Sequence, residues 1–189
     1  MVDYHYQYHK YLLKESFLGY LYRRIFLFPL IRIITGSEFL EVGCGLGIML
    51  SYGNKRSVGI DINKHNIEYL KEKGMKGFLI PDSGIFPLKN ESFNVILCDQ
   101  VLEHIDNPHF FLNEINRCLK ANGRLIIGVP QEKGFKRDKD HKAFYNIEKL
   151  KELLENHKFN YKFHFYLPLP FSFFGKLIKQ QSLYVIFRK

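Results

Sequence analysis

The segment that points most directly to ligand binding is a glycine-rich run from Glu41 to Gly47. It has glycine at three alternate positions, Gly43, Gly45 and Gly47, directly after a predicted strand. Glycine lets the backbone turn sharply and approach a ligand closely, which a Cβ atom would prevent. Such a turn at the end of a first parallel strand is typical of nucleotide-binding α/β proteins. The alternative is an ordinary tight turn.

A carboxylate follows the next predicted strand, 14 residues after Gly47. Asp61 stands in the run from Gly59 to Ile62, which would place it at the adjacent strand tip. A carboxylate there can accept hydrogen bonds from both hydroxyls of a ribose. The connecting helix must be brief, about two turns across residues 48–52. The alternative role for Asp61 is to cap the helix that begins at Asn63.

A parallel sheet is needed to bring such strand tips together. Runs rich in β-branched and aromatic residues predict strands at Phe39–Val42, Ser57–Ile62, Gly77–Ile80, Phe93–Cys98, Arg124–Val129, Phe159–Leu167 and Leu183–Phe187. Helical patterns cover Asn63–Glu72, Pro108–Leu119 and Asn146–Asn156, and Ala121-Asn122-Gly123 predicts a turn before the fifth strand. This order predicts a Rossmann-like, doubly wound α/β fold of about seven strands, mostly parallel with an antiparallel edge.

We predict a single domain over residues 1–189, with a helical cap (1–35), a cofactor-binding core (36–130) and an acceptor-side segment with the edge strands (131–189). The cap has an apolar face and ends near Pro29, which should break or kink the helix. That face comprises Tyr11, Leu12, Phe17, Leu18, Leu21 and Tyr22. Tyr4, His5, Tyr8 and His9 form a polar, aromatic cluster that either covers the pocket or packs as core.

Two further motifs follow the third and fourth strands, Pro81-Asp82-Ser83 and the run from Asp99 to Ile105. With the glycine-rich run and Asp61, this order resembles the class I S-adenosylmethionine-dependent methyltransferases, over about residues 38–157. The resemblance implies that the glycine-rich run wraps the methionine part of the cofactor, that Asp61 binds the ribose and that Asp82 contacts the adenine amine. The implied cofactor-binding residues are Glu41, Gly43, Cys44, Gly45, Gly47, Asp61, Ile62, Asp82, Ser83, Asp99, Gln100, Val101 and His104.

Two sequence features differ from the motifs of other nucleotide-binding enzymes and so exclude some functions. The glycine spacing is Gly-x-Gly-x-Gly, and Ile48 stands where a dinucleotide-binding dehydrogenase has its third glycine, which argues against NAD. The fourth strand is followed by Asp99-Gln100-Val101-Leu102 and not by the Asn/Asp-Pro-Pro-Tyr/Phe tetrad of amino-methylating nucleic-acid enzymes. Base methylation and a nucleic-acid partner are therefore disfavoured.

Methyl transfer to an alcohol acceptor requires a base with a pKa near neutrality, which favours histidine. His141 is the candidate base because it lies in a late segment that resembles the family's acceptor side. His104 also lies in a segment expected near the pocket. The alternative to a chemical role for His104 is that it packs beneath the cofactor or caps a helix. Three isolated cysteines and the absence of a recognised metal spacing predict no metal and a cytoplasmic location.

The sequence does not identify the acceptor, the molecule that receives the methyl group. Residues 131–189 carry 13 basic and 6 acidic groups, and an aromatic stretch at residues 165–175 precedes Lys176 and Lys179. These features favour a small-molecule or glycan-type acceptor, anionic or lipid-linked, and allow peripheral membrane contact. The aromatic stretch could equally be a dimer interface, so the oligomeric state stays open. The alternative function is a non-catalytic S-adenosylmethionine- or nucleotide-binding module that acts through a protein or membrane partner.

Overall fold

A computed structural model describes residues 4–13, 28–168 and 181–189 of the chain. The chain divides into two compact units, Met1–Pro87 and Leu88–Lys189. The predicted division of one domain into cap, core and acceptor-side segment stays a prediction. No helix among the described residues combines the length and the apolar character required to cross a bilayer.

The described residues of the first unit form three α-helices and three parallel strands. They are α1 (Tyr4–Leu13), α2 (Phe28–Thr35), β1 (Leu40–Val42), β2 (Val58–Asp61), α3 (Lys64–Glu72) and β3 (Gly77–Leu79). Strand β2 pairs in parallel with β1 on one side and with β3 on the other. In this register Asp61 lies opposite Leu79, so the residues after β2 and β3 emerge at the same edge.

In the second unit, outside residues 169–180, the structure describes four strands and three α-helices. They are β4 (Phe93–Asp99), α4 (Pro108–Cys118), β5 (Leu119–Pro130), α5 (Glu132–Phe135), α6 (Ile147–Glu155), β6 (Asn160–Leu167) and β7 (Ser182–Arg188). Strands β4 and β5 are parallel, whereas β7 runs antiparallel to both β5 and β6. The core lies around β5 and β7, where Leu125, Ile126, Val185 and Phe187 are buried.

The seven strands form one sheet in the order β3-β2-β1-β4-β5-β7-β6. All seven predicted strands are confirmed to within a few residues, and so is the antiparallel pairing of the last two. The predicted fold class, a Rossmann-like sheet that is mostly parallel with an antiparallel edge, is therefore confirmed.

Each of the three predicted helices begins after an asparagine. The side chains of Asn63, Asn107 and Asn146 each accept a hydrogen bond from a backbone N–H in the first helical turn. Such a bond satisfies one of the donors that a helix start leaves without a partner. Pro108 follows Asn107 at the first helical position, where its fixed φ suits the helix and its missing N–H costs nothing.

Pro29 lies in the first turn of α2, where proline is tolerated. Residues 14–27, which precede α2, lie outside the described residues, so the predicted break or kink at Pro29 stays a prediction. Of the predicted apolar face, Tyr11 and Leu12 lie on α1, and Tyr11 is 71% exposed. The other four members lie outside the described residues, as do residues 169–175 of the aromatic stretch and both adjacent lysines.

The prediction of a two-turn helix between the glycine-rich run and β2 is wrong. A single 3₁₀ turn at Leu50–Tyr52 replaces it, because the backbone bends back at once: the Gly53 N–H donates to Leu50 O at 2.9 Å. The predicted turn near Asn122 is present as a bulge inside β5. Asn122 has φ +60°, and the pairing with β4 jumps from Leu119 to Arg124.

Candidate functional site

The glycine-rich run forms a turn that folds back on the end of β2. Gly43, Gly45 and Gly47 all have left-handed φ angles, of +70°, +51° and +68°. Only glycine adopts this backbone without a steric penalty, so the alternating spacing follows directly from the conformation. The Gly43 and Cys44 N–H groups donate to Ile60 O at 2.8 and 3.1 Å, which fixes the start of the turn against β2.

Asp61 connects the turn to the beginning of α3. Its Oδ2 accepts a hydrogen bond from the Gly45 N–H at 2.8 Å, and its Oδ1 accepts one from the Asn63 N–H at 2.8 Å. The Asn63 side chain in turn accepts from the His65 N–H at the start of α3, so the capping alternative for Asp61 stays open beside the ribose role. The two backbone bonds use two of the about four acceptor sites of a carboxylate, so Asp61 can accept further hydrogen bonds.

The electrostatic environment of Asp61 does not favour its charge. Burial raises the pKa of this carboxyl group, and the hydrogen bonds from Asn63, Gly45 and Asn66, with the charge of His5, only partly oppose the rise. A buried carboxylate with a raised pKa costs folding free energy at neutral pH. Its hydrogen bonds to the Gly45 and Asn63 N–H groups offset part of this cost.

Two other predicted residues of the glycine-rich run are buried. The Cys44 side chain packs against Gly59 of β2, where an added Cβ would lie 2.7 Å from Cys44 Sγ. Burial raises the pKa of the Cys44 thiol, and the nearby Glu41 and Asp61 raise it further. Glu41 is itself only 6% exposed. Cys44 can therefore offer a ligand its backbone groups, but not a reactive thiolate.

Helix α1 lies against α3 and the glycine-rich turn. The Asn63 side chain donates to His5 O at 2.8 Å, and His9 Nδ1 lies 2.8 Å from Asn66 Oδ1. A Cβ on Gly45 would lie 3.6 Å from Leu12 Cδ1, an ordinary van der Waals distance. The N-terminal helix is thus close to the turn, and its predicted role as a cap over a ligand stays a prediction.

Asp82 and Ser83 lie on an exposed turn after β3. The Gly84 N–H donates to Pro81 O at 2.8 Å, and Ser83 Oγ accepts from the Ile85 N–H at 3.4 Å. Ile62, after β2, is 65% exposed. Because β2 and β3 are parallel, these exposed residues follow strand ends at the same edge as Asp61.

In the second unit, β4 ends at Asp99 and the chain then turns sharply. Gln100 has φ +55°, its N–H donates to Gly128 O at 2.9 Å, and its side chain donates to Ser182 Oγ at 3.3 Å. A left-handed residue other than glycine carries a conformational cost and is common at functional sites. Val101 follows, and a 3₁₀ turn then covers Leu102–His104.

The same 3₁₀ turn brings Glu103 and His104 close to His141. His141 Nδ1 lies 2.8 Å from Phe135 O, and His141 Nε2 lies 3.9 Å from Glu103 Oε1. The rings of His104 and His141 are 4.7 Å apart between centroids. Burial raises the pKa of Glu103 to about 8, its own backbone N–H opposes the rise, and Asp99 and Asp138 add to it. Burial and His141 lower the pKa of His104.

Glu103 is the functional candidate that the sequence-based reasoning missed. It lies between two residues of a predicted site motif, and its side chain is completely buried. In the 3₁₀ turn it faces the segment that carries His141, since the Lys142 N–H donates to Glu103 O at 2.8 Å. An acidic residue beside a histidine in an otherwise apolar run is the signal that could have drawn attention to it.

Part of the chain matches a family of known proteins. The family described as "Methyltransferase domain" matches residues 40–127, which contain the glycine-rich turn, Asp61 and the β4 tip. An uncharacterized protein of Methanocaldococcus jannaschii is 31% identical over 132 residues, which cover 66% of this chain and 63% of that protein. The ubiquinone biosynthesis O-methyltransferase of Rickettsia canadensis is 35% identical over 104 residues, or 51% of this chain and 44% of that enzyme.

Among solved structures, a SAM-dependent methyltransferase from Archaeoglobus fulgidus superposes with a TM-score of 0.71 at 20% identity and covers 99% of this chain and 100% of its own. Residues 40–127 thus match a methyltransferase family, and the chain has the fold of that solved methyltransferase, in agreement with the resemblance that its motifs show. The chain spans about two thirds or less of the length of the curated relatives described above.

Proposed function

We propose that this protein is an S-adenosylmethionine-dependent methyltransferase that acts on a small-molecule acceptor. The observation that carries the proposal is the Asp61 carboxylate, which is buried at an energetic cost, bonded to the glycine-rich turn and still able to accept further hydrogen bonds. The ribose hydroxyls of an adenosyl group are donors of the required kind.

The residues present suit the adenosyl cofactor. Three left-handed glycines leave the backbone of the turn without Cβ atoms, which suits close approach of the methionine part. Asp61 with Ile62 would bind the ribose, and the exposed Asp82 and Ser83 would contact the adenine. The remaining proposed cofactor contacts are Glu41, Gly43, Cys44, Gly45 and Gly47 in the first unit, and Asp99, Gln100, Val101 and His104 in the second.

When bound, S-adenosylmethionine supplies an electrophilic methyl group whose transfer leaves a neutral thioether. The residues of the chain therefore have no leaving group to protonate, and their contribution is to orient the reactants and exclude water. Orientation of this kind can supply about 7–11 kcal/mol of barrier reduction. Any proton to be removed is that of the acceptor.

His141 is the proposed base for an acceptor hydroxyl. Because the Phe135 carbonyl can only accept, His141 Nδ1 carries the hydrogen and Nε2 holds the lone pair. A hydroxyl acceptor is supported by the relative from Rickettsia canadensis, which by its name is an O-methyltransferase. The basic character of residues 131–189 further supports an anionic acceptor.

The cofactor proposal is tested with two matched glycine variants. Gly45 and Gly74 have φ of +51° and +71°, and an added Cβ meets nothing closer than 3.6 Å at either. Gly45→Ala and Gly74→Ala should therefore lose similar folding stability, about 1 kcal/mol from backbone strain. Only Gly45→Ala should weaken S-adenosylmethionine binding measured by calorimetry, by about tenfold or more.

Equal affinity of the two variants would contradict the proposed cofactor site. A screen with tritium-methyl-labelled cofactor and candidate hydroxyl compounds then tests catalysis. Cofactor binding without transfer to any acceptor would favour the non-catalytic binding module over the enzyme. Undiminished transfer by His141→Ala would remove His141 as the base.

A further inference from the structure

The cluster formed by Glu103, His104 and His141 has the composition of a metal centre. One ligand atom from each of the three side chains lies within 4.8 Å of the other two. Two imidazoles with one carboxylate form a donor set that suits divalent transition metals such as zinc, iron or cobalt. All three residues belong to the second unit.

Both histidines are held as metal-binding histidines usually are. His141 Nδ1 lies 2.8 Å from Phe135 O, and His104 Nδ1 lies 3.3 Å from Asp140 O. A backbone carbonyl accepts a hydrogen bond and cannot donate one, so Nδ1 carries the hydrogen on each ring, and in the neutral imidazole Nε2 holds a lone pair. A histidine ligand typically donates its other ring N–H to such a carbonyl, which fixes the ring orientation.

The buried Glu103 carboxyl group supplies an independent observation. Its side chain is only 1% exposed, and neither of its oxygens makes a hydrogen bond within the described part of the chain. A buried carboxyl group without partners is costly unless a charge or a ligand compensates it. Here Glu103 Oε1 lies 3.9 Å from His141 Nε2, beyond hydrogen-bond distance, so both atoms can serve as ligands of one cation.

We propose that Glu103, His104 and His141 bind a divalent transition-metal cation, with zinc as the best-matched ion. Ligands around tetrahedral zinc at about 2.0–2.2 Å lie about 3.4 Å from one another, so small side-chain rotations close the present 3.9 Å separation. Asp138 Oδ2, 4.0 Å from His141 Nε2 on a half-exposed side chain, provides a further oxygen donor on the solvent side.

Cation binding and base catalysis exclude each other at His141, because Nε2 has a single lone pair. In the cation-bound protein, the metal would lower the pKa of a bound acceptor hydroxyl, so the base would not be needed. Binding of the cation does not depend on methyl transfer and is measured separately from it.

Cobalt(II) titration of the full-length chain without a histidine tag tests this proposal, because visible absorption reports nitrogen and oxygen ligation directly. We expect one cobalt ion per chain, displaced by zinc, with affinity reduced at least about tenfold in His104→Gln and in His141→Gln. His109→Gln is the matched control, because His109 pairs with His157 at 2.9 Å in another part of the second unit. That variant should bind cobalt as the unmodified chain does.

Glu103→Gln keeps the shape of the buried side chain and removes the anionic ligand, so it should also lose affinity. Circular dichroism identifies any variant that fails to fold, and His104→Gln, at a partly exposed position, keeps the test decisive. The proposal is overturned if the unmodified chain shows no cobalt spectrum, or if binding survives in His104→Gln and His141→Gln. Loss of binding in His109→Gln alone would assign the cation to the other histidine pair.

Discussion

Asparagine in place of Asp61 separates the role of this residue in folding from its role in binding. In the structure the carboxylate accepts two backbone N–H groups at 2.8 Å, from Gly45 and Asn63. Asparagine has one side-chain oxygen, so it can accept only one of these bonds and turns an amide donor toward the other N–H. The substitution also removes a negative charge that burial disfavours.

The two effects on folding oppose each other. A hydrogen bond to a charged group contributes about 1.5–3 kcal/mol, and an unpaired buried donor costs free energy as well. Removal of a buried charge whose pKa is raised returns free energy at neutral pH. We therefore expect the unfolding free energy of the cofactor-free protein to change by less than about 1.5 kcal/mol.

The effect on binding has no such compensation. If Asp61 accepts the ribose hydroxyls, asparagine replaces charge-assisted bonds of about 1.5–3 kcal/mol with weaker neutral ones. Each 1.4 kcal/mol corresponds to a factor of about ten in affinity. The dissociation constant for S-adenosylmethionine, measured by isothermal titration calorimetry, should therefore rise by about ten- to a hundredfold.

The control for Asp61→Asn is Glu38→Gln in the same unit. Glu38 forms an ion pair with Arg56 at 2.9 Å, and the two side chains are 38% and 77% exposed, so its removal should affect stability and binding little. An affinity of Asp61→Asn within about twofold of the unmodified chain would refute the ribose role. A large loss of stability without a specific loss of affinity would instead show that Asp61 only anchors the turn.

The raised pKa of Asp61 gives this prediction a pH dependence with a defined sign. The folded protein holds the Asp61 proton more tightly than the unfolded chain does, so this group stabilises the fold at low pH. That contribution is lost as the pH rises from the ordinary value of 3.8 through the raised one. Cofactor affinity should move oppositely and fall on acidification, already above pH 3.8. Asp61→Asn should show neither change in chemical denaturation or calorimetry.

Two further predictions concern the second unit. A Cβ on Gly128 would overlap Asp99 Oδ1 and lie 2.6 Å from Tyr184, so Gly128→Ala should lower the unfolding free energy by about 1–3 kcal/mol in urea denaturation and weaken cofactor binding by displacing Asp99. An affinity equal to that of the unmodified chain would argue against a cofactor role for Asp99. Arg117 donates to both oxygens of the mostly buried Glu114 at 2.7 and 2.8 Å, so Arg117→Leu should cost about 1.5–3 kcal/mol. Adding Glu114→Leu should restore part of that loss, and no recovery would show that the ion pair is not its cause.

The strands and the predicted helices of the α/β region could be predicted because their signals are local. Asn63, Asn107 and Asn146 stand directly before amphipathic segments, and each caps a helix. The alternating glycines likewise specify left-handed backbone by themselves. Local signals of this kind need no knowledge of the distant chain.

One error arose where two local structures are compatible with the same residues. The connection at residues 48–52 is long enough for a helical turn or for the 3₁₀ turn that forms. The choice depends on how closely the turn is held against β2, which is a tertiary property.

The cluster around His141 was beyond sequence reasoning for a stronger physical reason. His141 is 38 residues from Glu103 along the chain, and the two meet because the Lys142 and Ala143 N–H groups both donate to Glu103 O, at 2.8 and 3.2 Å. Those donors and that acceptor are backbone groups, which every sequence contains, so no residue type records the contact. The sequence indicates that His141 and Glu103 are capable of chemistry, and the backbone pairing turns separate candidates into one site.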